Sequence, residues 1–223
     1  MFQVKICGIT SLTDAQSVAN AGADAIGLNF YAPSPRFVPW ETAQEICQEL
    51  PHLTKIALFV NESVPTIRRL ADQVGFDAIQ LHGDEPPETI AELSEFRIIR
   101  ALRCRRANLQ TVRDYLQQCQ KLESLPEAIL LDAYTPDQYG GTGQALDWNQ
   151  LNLTSPSIEG VPWVLAGGLT AANVAEAIGM TRPAGVDTAS GVEIQPGQKD
   201  PQQVAQFVQA ARAALAKSAD TTS

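Results

Sequence analysis

Apolar residues recur in short runs separated by amphipathic stretches, and this alternation continues along nearly the whole chain. Eight runs of β-branched and other apolar residues read as strands, at residues 3–7, 25–30, 55–60, 78–82, 97–103, 128–133, 163–168 and 185–190. The stretches between them carry helix punctuation. Ser11 with Asp14 has the spacing of a capping box, and Gly22 stands where a helix would end in the left-handed conformation. The run Asp84-Glu85-Pro86-Pro87 puts acids and prolines at a helix start, where both are favoured. Thr170 is placed to cap a helix that stops at Gly179. The last helix, residues 201–216, carries Val204, Phe207, Val208, Ala211 and Leu215 on one stripe. There is also an internal echo: Gly22-Ala23-Asp24-Ala25-Ile26-Gly27-Leu28 returns as Gly75-Phe76-Asp77-Ala78-Ile79-Gln80-Leu81, two strand–helix units later.

Eight strands alternating with helices in 223 residues predict an α/β fold, a single-domain (β/α)8 barrel over residues 1–216, with 217–223 a disordered tail. An open doubly wound sheet is the rival. Its GxGxxG fingerprint is missing, because Cys7-Gly8-Ile9-Thr10 follows the first strand instead. Composition narrows the class further. A formal net charge of −9 argues against nucleic acid or an anionic membrane as partner, since both need clustered Lys and Arg. No run approaches the roughly 20 apolar residues of a membrane span, and no secretory signal is visible. Cys7, Cys47, Cys104 and Cys119 form no CxxC pair, so free thiols in a reducing cytoplasm are expected. His52 and His82 fall on opposite faces of a barrel, which predicts no metal site.

In such a barrel the C-terminal ends of the strands face the active site. Those positions hold Cys7, Asn29, Asn61, His82, Arg103, Asp132, Gly167-Gly168 and Asp187, a thiol, an imidazole, acids and amides drawn from distant parts of the chain. Glycine clusters follow the last strands, at Gly140-Gly141-Thr142-Gly143, Gly167-Gly168 and Ser190-Gly191. They read either as turn glycines or as a phosphate cradle, because glycine lets backbone N–H groups approach an anion. Asp132 is either a helix cap or an acid aimed into the cleft. Arg36 is either a solvated charge or a fork for a carboxylate. His82 is either structural or part of the site. Cys7 is either a small buried hydrophobe or a base, with N–H groups of a following helix start lowering its pKa. Lys5, two residues earlier, should share its face one layer deeper.

Six segments together resemble the phosphoribosylanthranilate isomerase family: residues 5–10 (KICGIT), 34–38 (SPRFV), 80–83 (QLHG), 140–143 (GGTG), 165–169 (LAGGL) and 185–193 (GVDTASGVE). They run in the family's order over nearly the whole chain. The resemblance implies an Amadori rearrangement in tryptophan biosynthesis, from N-(5-phosphoribosyl)anthranilate to 1-(2-carboxyphenylamino)-1-deoxyribulose 5-phosphate, with no cofactor. It implies Cys7 as general base, Asp132 as general acid and Arg36 on the anthranilate carboxylate. Gly141, Gly168, Ser190 and Gly191 would hold the phosphate, Gly143 and Gly167 would belong to the substrate site, and His82 and Asp187 would line the cleft. The expected partner is a small phosphorylated substrate, and the expected assembly is a monomer or homodimer. Indole-glycerol-phosphate synthases and ribulose-phosphate epimerases are the neighbouring readings. The first wants a strand-end Lys and Glu, the second metal-binding His and Asp residues. From another class, a barrel binding a phosphorylated metabolite as a sensor would keep the glycines and lose the acid–base pair.

Overall fold

The computed structural model describes residues 1–104, 109–133, 155 and 157–220. All eight expected strands are present: β1 (Val4–Cys7), β2 (Ala25–Asn29), β3 (Thr54–Phe59), β4 (Ala78–Leu81), β5 (Ile98–Cys104) and β6 (Ala128–Ala133), then β8 (Val161–Leu165) and β9 (Gly185–Thr188). Between β6 and β8 a two-residue strand, β7 (Ser157–Ile158), runs antiparallel against the start of β8. Neighbouring barrel strands pair in parallel, and β6 bonds directly to β8, so the ring closes. Helices α1 (Leu12–Asn20), α2 (Trp40–Glu49), α3 (Val64–Val74), α4 (Pro87–Glu92), α5 (Leu109–Lys121), α6 (Val174–Thr181) and α7 (Pro201–Asp220) surround it.

The period-2 alternation of each strand divides the core in two. Val4, Ile6, Ile26, Leu28, Ile129 and Trp163 face outward and pack with Val204, Phe207 and Val208 of α7. Ala25, Ile56, Ala78, Ile99, Ala101, Ala128, Leu130 and Val164 face inward and, with Phe2, fill the lower barrel. Each fully buried Ile or Leu contributes about 1.5–3 kcal/mol. Above that apolar plug the same inward rows turn polar, and the cleft forms there.

The echo between Gly22–Leu28 and Gly75–Leu81 has a hydrogen-bonded cause. Gly22 and Gly75 both take positive φ, at 83° and 74°, and turn the chain out of a helix. Asp24 then donates its N–H to the Val4 carbonyl at 2.9 Å and accepts the Val4 N–H at 2.8 Å. Asp77 repeats both bonds on Lys55, at 2.9 and 2.8 Å. Each aspartate thus sets the register of the strand it precedes against the strand before.

Three local expectations change. Ser11 caps α1 by accepting the Asp14 N–H at 3.2 Å, but the Asp14 carboxylate accepts from the Lys199 N–H instead of reaching back, so only half a capping box forms. Thr170 does not cap α6. Its N–H donates to Asn173 Oδ1 at 2.8 Å in a preceding turn, and the helix begins at Val174, passes Gly179 and ends at Thr181, with Arg182 at φ 48°. α7 continues beyond residue 216 to Asp220, so helix replaces the expected disorder over 217–220.

Candidate active site

Cys7, Gly8, Asn29, Arg36, His82, Asp132, Gly167, Gly168, Asp187 and Ser190 line one cleft at the C-terminal end of the ring. Among the lining residues, Cys7, Asn29, His82, Asp132 and Asp187 are buried polar or thiol groups. They come from β1, β2, β6 and β9 and the end of β4.

Cys7 owes its place to two glycines. It stands beside Gly27 in the strand register, and a Cβ at Gly27 would lie 2.5 Å from the Cys7 sulfur. Gly8 turns the chain at φ 75°. The N–H groups of Gly8 and Ile9 both donate to the Gly27 carbonyl at 3.0 Å, and α1 starts only at Leu12. The N–H groups that directly follow Cys7 are therefore spent on that carbonyl, and the helix start lies five residues further on. Burial instead pushes the Cys7 thiol above its ordinary value, opposed by Lys5 and Lys199 while Asp187 adds to the rise. Lys5 lies in the layer below, fully buried, with its Nζ 2.9 Å from Asp187 Oδ1 in the neighbouring strand position. Burial works against its charge, yet Asp187 and Cys7 hold its pKa above the usual lysine value.

His82 bridges inward to the acid. Gln80, wholly buried one layer down, sets its Nε2 2.9 Å from His82 Nδ1. With Nδ1 assigned as acceptor, the ring proton sits on Nε2. That nitrogen lies 3.3 Å from Asp132 Oδ2, close but off the line of a well-formed hydrogen bond.

Arg36 sits in the loop after β2 and is only 9% exposed, so it is not a solvated charge. Asn29 donates to Ser34 Oγ at 3.0 Å, and Ser34 Oγ accepts the Arg36 N–H at 3.1 Å, which folds the loop over the cleft. The guanidinium makes a fork on Glu193, Nε to Oε1 at 2.9 Å and Nη2 to Oε2 at 2.7 Å. Glu193 and Lys199 oppose each other in a hairpin of β10 (Glu193–Gln195) and β11 (Gln198–Lys199), with Lys199 Nζ 2.7 Å from Glu193 Oε1. Burial alone would raise the Glu193 pKa, but Arg36 and Lys199 hold it below the ordinary carboxylate value.

At the far side Gly167 and Gly168 both take positive φ, 89° and 65°. Asn173 Nδ2 donates to the Gly168 carbonyl at 3.0 Å and fixes that turn. Ser190 and Gly191 open a single 3-10 turn over Ser190–Val192. The first N–H groups of such a turn have no internal acceptor. Gly191 is not among the lining residues; it packs against the Leu169 carbonyl, where a side chain would collide.

Two strand-end residues lie elsewhere. Asn61, at φ 52°, accepts the Asp84 N–H, and Arg103 reaches Asp84 Oδ1 at 2.6 Å, so both brace loops outside the cleft. Gly141 and Gly143 lie outside the described residues. Gln80 and Glu193 fall inside segments that carry the resemblance but receive no role there, and Lys199 falls in none of them. Gln80 shares the inward row with His82, and the period-2 rule finds it; Glu193 and Lys199 flank Pro196-Gly197, a turn signal that predicts their pairing. Among the described residues no group of three or more His, Cys, Asp or Glu could hold a metal ion. No helix among them is long and apolar enough to cross a membrane.

Residues 4–210 match the family described as N-(5'phosphoribosyl)anthranilate (PRA) isomerase. An N-(5'-phosphoribosyl)anthranilate isomerase of Neisseria gonorrhoeae is 44% identical over 207 residues, 92% of this chain and 94% of the relative. The crystal structure of phosphoribosyl anthranilate isomerase from Thermotoga maritima superposes with a TM-score of 0.82 at 38% identity, covering 96% of this chain and all (100%) of that one. Another phosphoribosyl anthranilate isomerase structure, in complex with reduced 1-(o-carboxyphenylamino)-1-deoxyribulose 5-phosphate, superposes at 0.77 with 33% identity over 96% of this chain and 100% of its own. With a closed (β/α)8 ring and the family's match running through the strands that build the cleft, the chain belongs to the N-(5'-phosphoribosyl)anthranilate isomerase family, enzymes of tryptophan biosynthesis.

Proposed function

We propose that Asp132 and Cys7 carry the isomerisation as acid and base. The observation that carries this reading is their shared cleft: a carboxyl at the end of β6 and a thiol at the end of β1, three steps apart around the ring through β8 and β9. Protonated Asp132 gives its proton to the furanose ring oxygen as the C1–O bond breaks. The anthranilate nitrogen lone pair forms the C=N bond, which acidifies the C2 proton. The Cys7 thiolate takes that proton, leaving an enolamine. Protonation of C1 and loss of the C2 hydroxyl proton then give the ketone. C1 is reduced and C2 oxidised within one molecule, so the electrons balance without a redox cofactor.

Arg36 would read the anthranilate carboxylate through its planar fork. The phosphate would rest against Gly167, Gly168, Ser190 and Gly191, where positive-φ turns and a 3-10 start offer N–H groups. Gly141 and Gly143 belong to the same proposed cradle. His82, set by Gln80, would hold Asp132 as it loses its proton, and Asp187 would keep Lys5 charged under the thiol. The cleft draws on residues of one chain, so a monomer or a homodimer would serve equally. A cytoplasmic setting fits the free thiols of Cys7, Cys47 and Cys119.

The test is growth of a tryptophan auxotroph lacking this isomerase with the chain supplied on a plasmid, alongside turnover by purified enzyme. Growth and turnover are expected. Failure of both, with the protein folded and still binding the reduced product analogue, would favour a sensor instead.

A further inference from the structure

An arginine guanidinium has two forked faces: a side face made by Nε and one Nη2 hydrogen, and an end face made by Nη1 and the other Nη2 hydrogen. In this protein the side face of Arg36 is already occupied. Glu193 takes Nε and Nη2 at 2.9 and 2.7 Å. The end face remains, on a residue that lines the cleft.

The surroundings leave Arg36 little freedom. Its stem lies flat on the turn after β1, where a Cβ at Gly8 would come within 2.5 Å of Arg36 Cδ. Its backbone is tied to Ser34 Oγ. Glu193 is anchored just as firmly. Its Oε1 also accepts Lys199 Nζ at 2.7 Å and the Gly197 N–H at 3.3 Å. The hairpin that carries it is pinned to the opening loop by Thr10 Oγ1 on the Gly197 carbonyl at 2.6 Å, and to α1 by the Lys199 N–H on Asp14 at 3.2 Å. Lys199 Nζ makes a further bond to the Ala189 carbonyl at 3.0 Å.

Arg36, Glu193 and Lys199 have side chains exposed by only 10%, 4% and 0%, and together hold two cations and one anion. Asp14 accepts only the Lys199 backbone N–H, so within the cluster Glu193 alone faces the two cations, and burial together with Arg36 draws the Lys199 pKa below the usual lysine value. An anion joining Arg36 offsets that cost. The neighbouring Lys5–Asp187 pair is neutral by itself and supplies none. A single carboxylate in end-on contact with Arg36 balances the cluster and fills the open fork.

Building on the proposed role of Arg36, we infer that Glu193 is a specificity-determining positioning residue: with Lys199 as its counter-charge, it turns the open fork of Arg36 toward the ring carboxylate of the substrate. Discrimination between a carboxylated and an uncarboxylated anilino sugar phosphate then depends on Glu193, which itself touches neither.

The test uses two unreactive reduced product analogues, one with the ring carboxylate and one with a plain anilino ring. Their Kd values are measured by calorimetry on wild type, Glu193→Gln, Glu193→Asp and Arg36→Met. The Asp variant keeps the charge but is too short to span Arg36 and Lys199. Both Glu193 variants should lose about tenfold or more of the preference for the carboxylated analogue. Binding of the anilino analogue should stay within about threefold of wild type, which a general loss of structure would not permit. If Arg36→Met abolishes the preference while both Glu193 variants keep it, the inference about Glu193 is wrong and the reading of Arg36 stands. If Arg36→Met keeps the preference too, the reading of Arg36 fails and takes the inference with it.

Discussion

Cys7 illustrates how much of its chemistry a residue takes from side chains out of sequence reach. A thiol near neutral reactivity followed from the expectation of free N–H groups after β1. Those groups serve the Gly27 carbonyl, and the thiol is instead governed by burial against Lys5 and Lys199. Its pKa is raised, so the free enzyme holds mostly neutral thiol at pH 7 and the thiolate fraction grows with pH. Alkylation of Cys7 by iodoacetamide should therefore accelerate on going from neutral to alkaline solution. Lys5 favours the thiolate, so Lys5→Met should move that profile to still higher pH; an unmoved profile, or one moved down, would show that Lys5 does not act on the thiol. Cys47 and Cys119, both pushed up to about 11, should contribute little at neutral pH. Steric fit is as strict as charge here. Gly27→Ala would put a methyl carbon on the sulfur, and kcat should fall about a hundredfold or more while the far-UV circular dichroism is kept. Lys5, Cys7 and Asp132 could be found from sequence because β-strand alternation fixes which side chains face the cleft. Glu193 and Lys199 are harder, since their site exists only once a hairpin after the last strand folds back on the loop after β2.

At the scale of elements, sequence punctuation located the strands and helices well and misjudged what some of it was for. Asp84-Glu85-Pro86-Pro87 does begin α4, at Pro87. Glu85, however, is no surface acid near a helix end. It is buried, accepts the Gly83 N–H at 2.8 Å and the Asn61 N–H at 2.7 Å, and pairs with Arg100 at 3.0 Å. Arg100 also donates to the carbonyls of Leu81, Gly83 and Ala101, and its guanidinium carbon lies 5.2 Å from the centre of the Tyr115 ring. This outward-facing arginine staples the loop that carries His82 to β5. Removing one partner strands the other charge, so Glu85→Ala should lower the unfolding free energy by about 3–5 kcal/mol. Urea denaturation reads this directly, and a loss below about 1 kcal/mol would mean the pair is solvated in solution. The two Gly-x-Asp turns were visible as an echo, but their use, an aspartate clamping the next strand into register, needed the paired strands. The start of α6 was missed because Asn173, not Thr170, organises the turn.

At the scale of the whole molecule, the closed ring brings residues from both ends of the chain into one cleft. Lys5 meets Asp187 and Arg36 meets Glu193, contacts that span most of the sequence. The fold was legible because eight repeats of one alternation admit few architectures. The rim was less so, because its loops are set by contacts between repeats. In an acidic molecule of net charge −9, Arg36 and Lys199 share the one carboxylate of Glu193 beside the cleft, on the face where the proposed anionic substrate would dock. Cys7 and Asp132 are proposed to act as base and acid in that cleft. The most direct test is kcat for Cys7→Ala and Asp132→Asn, measured with the Kd of the reduced product analogue. Each variant should lose at least about a hundredfold in kcat while binding the analogue within about threefold of wild type. Turnover within about tenfold of wild type in either variant, with binding intact, would contradict the assignment of that residue.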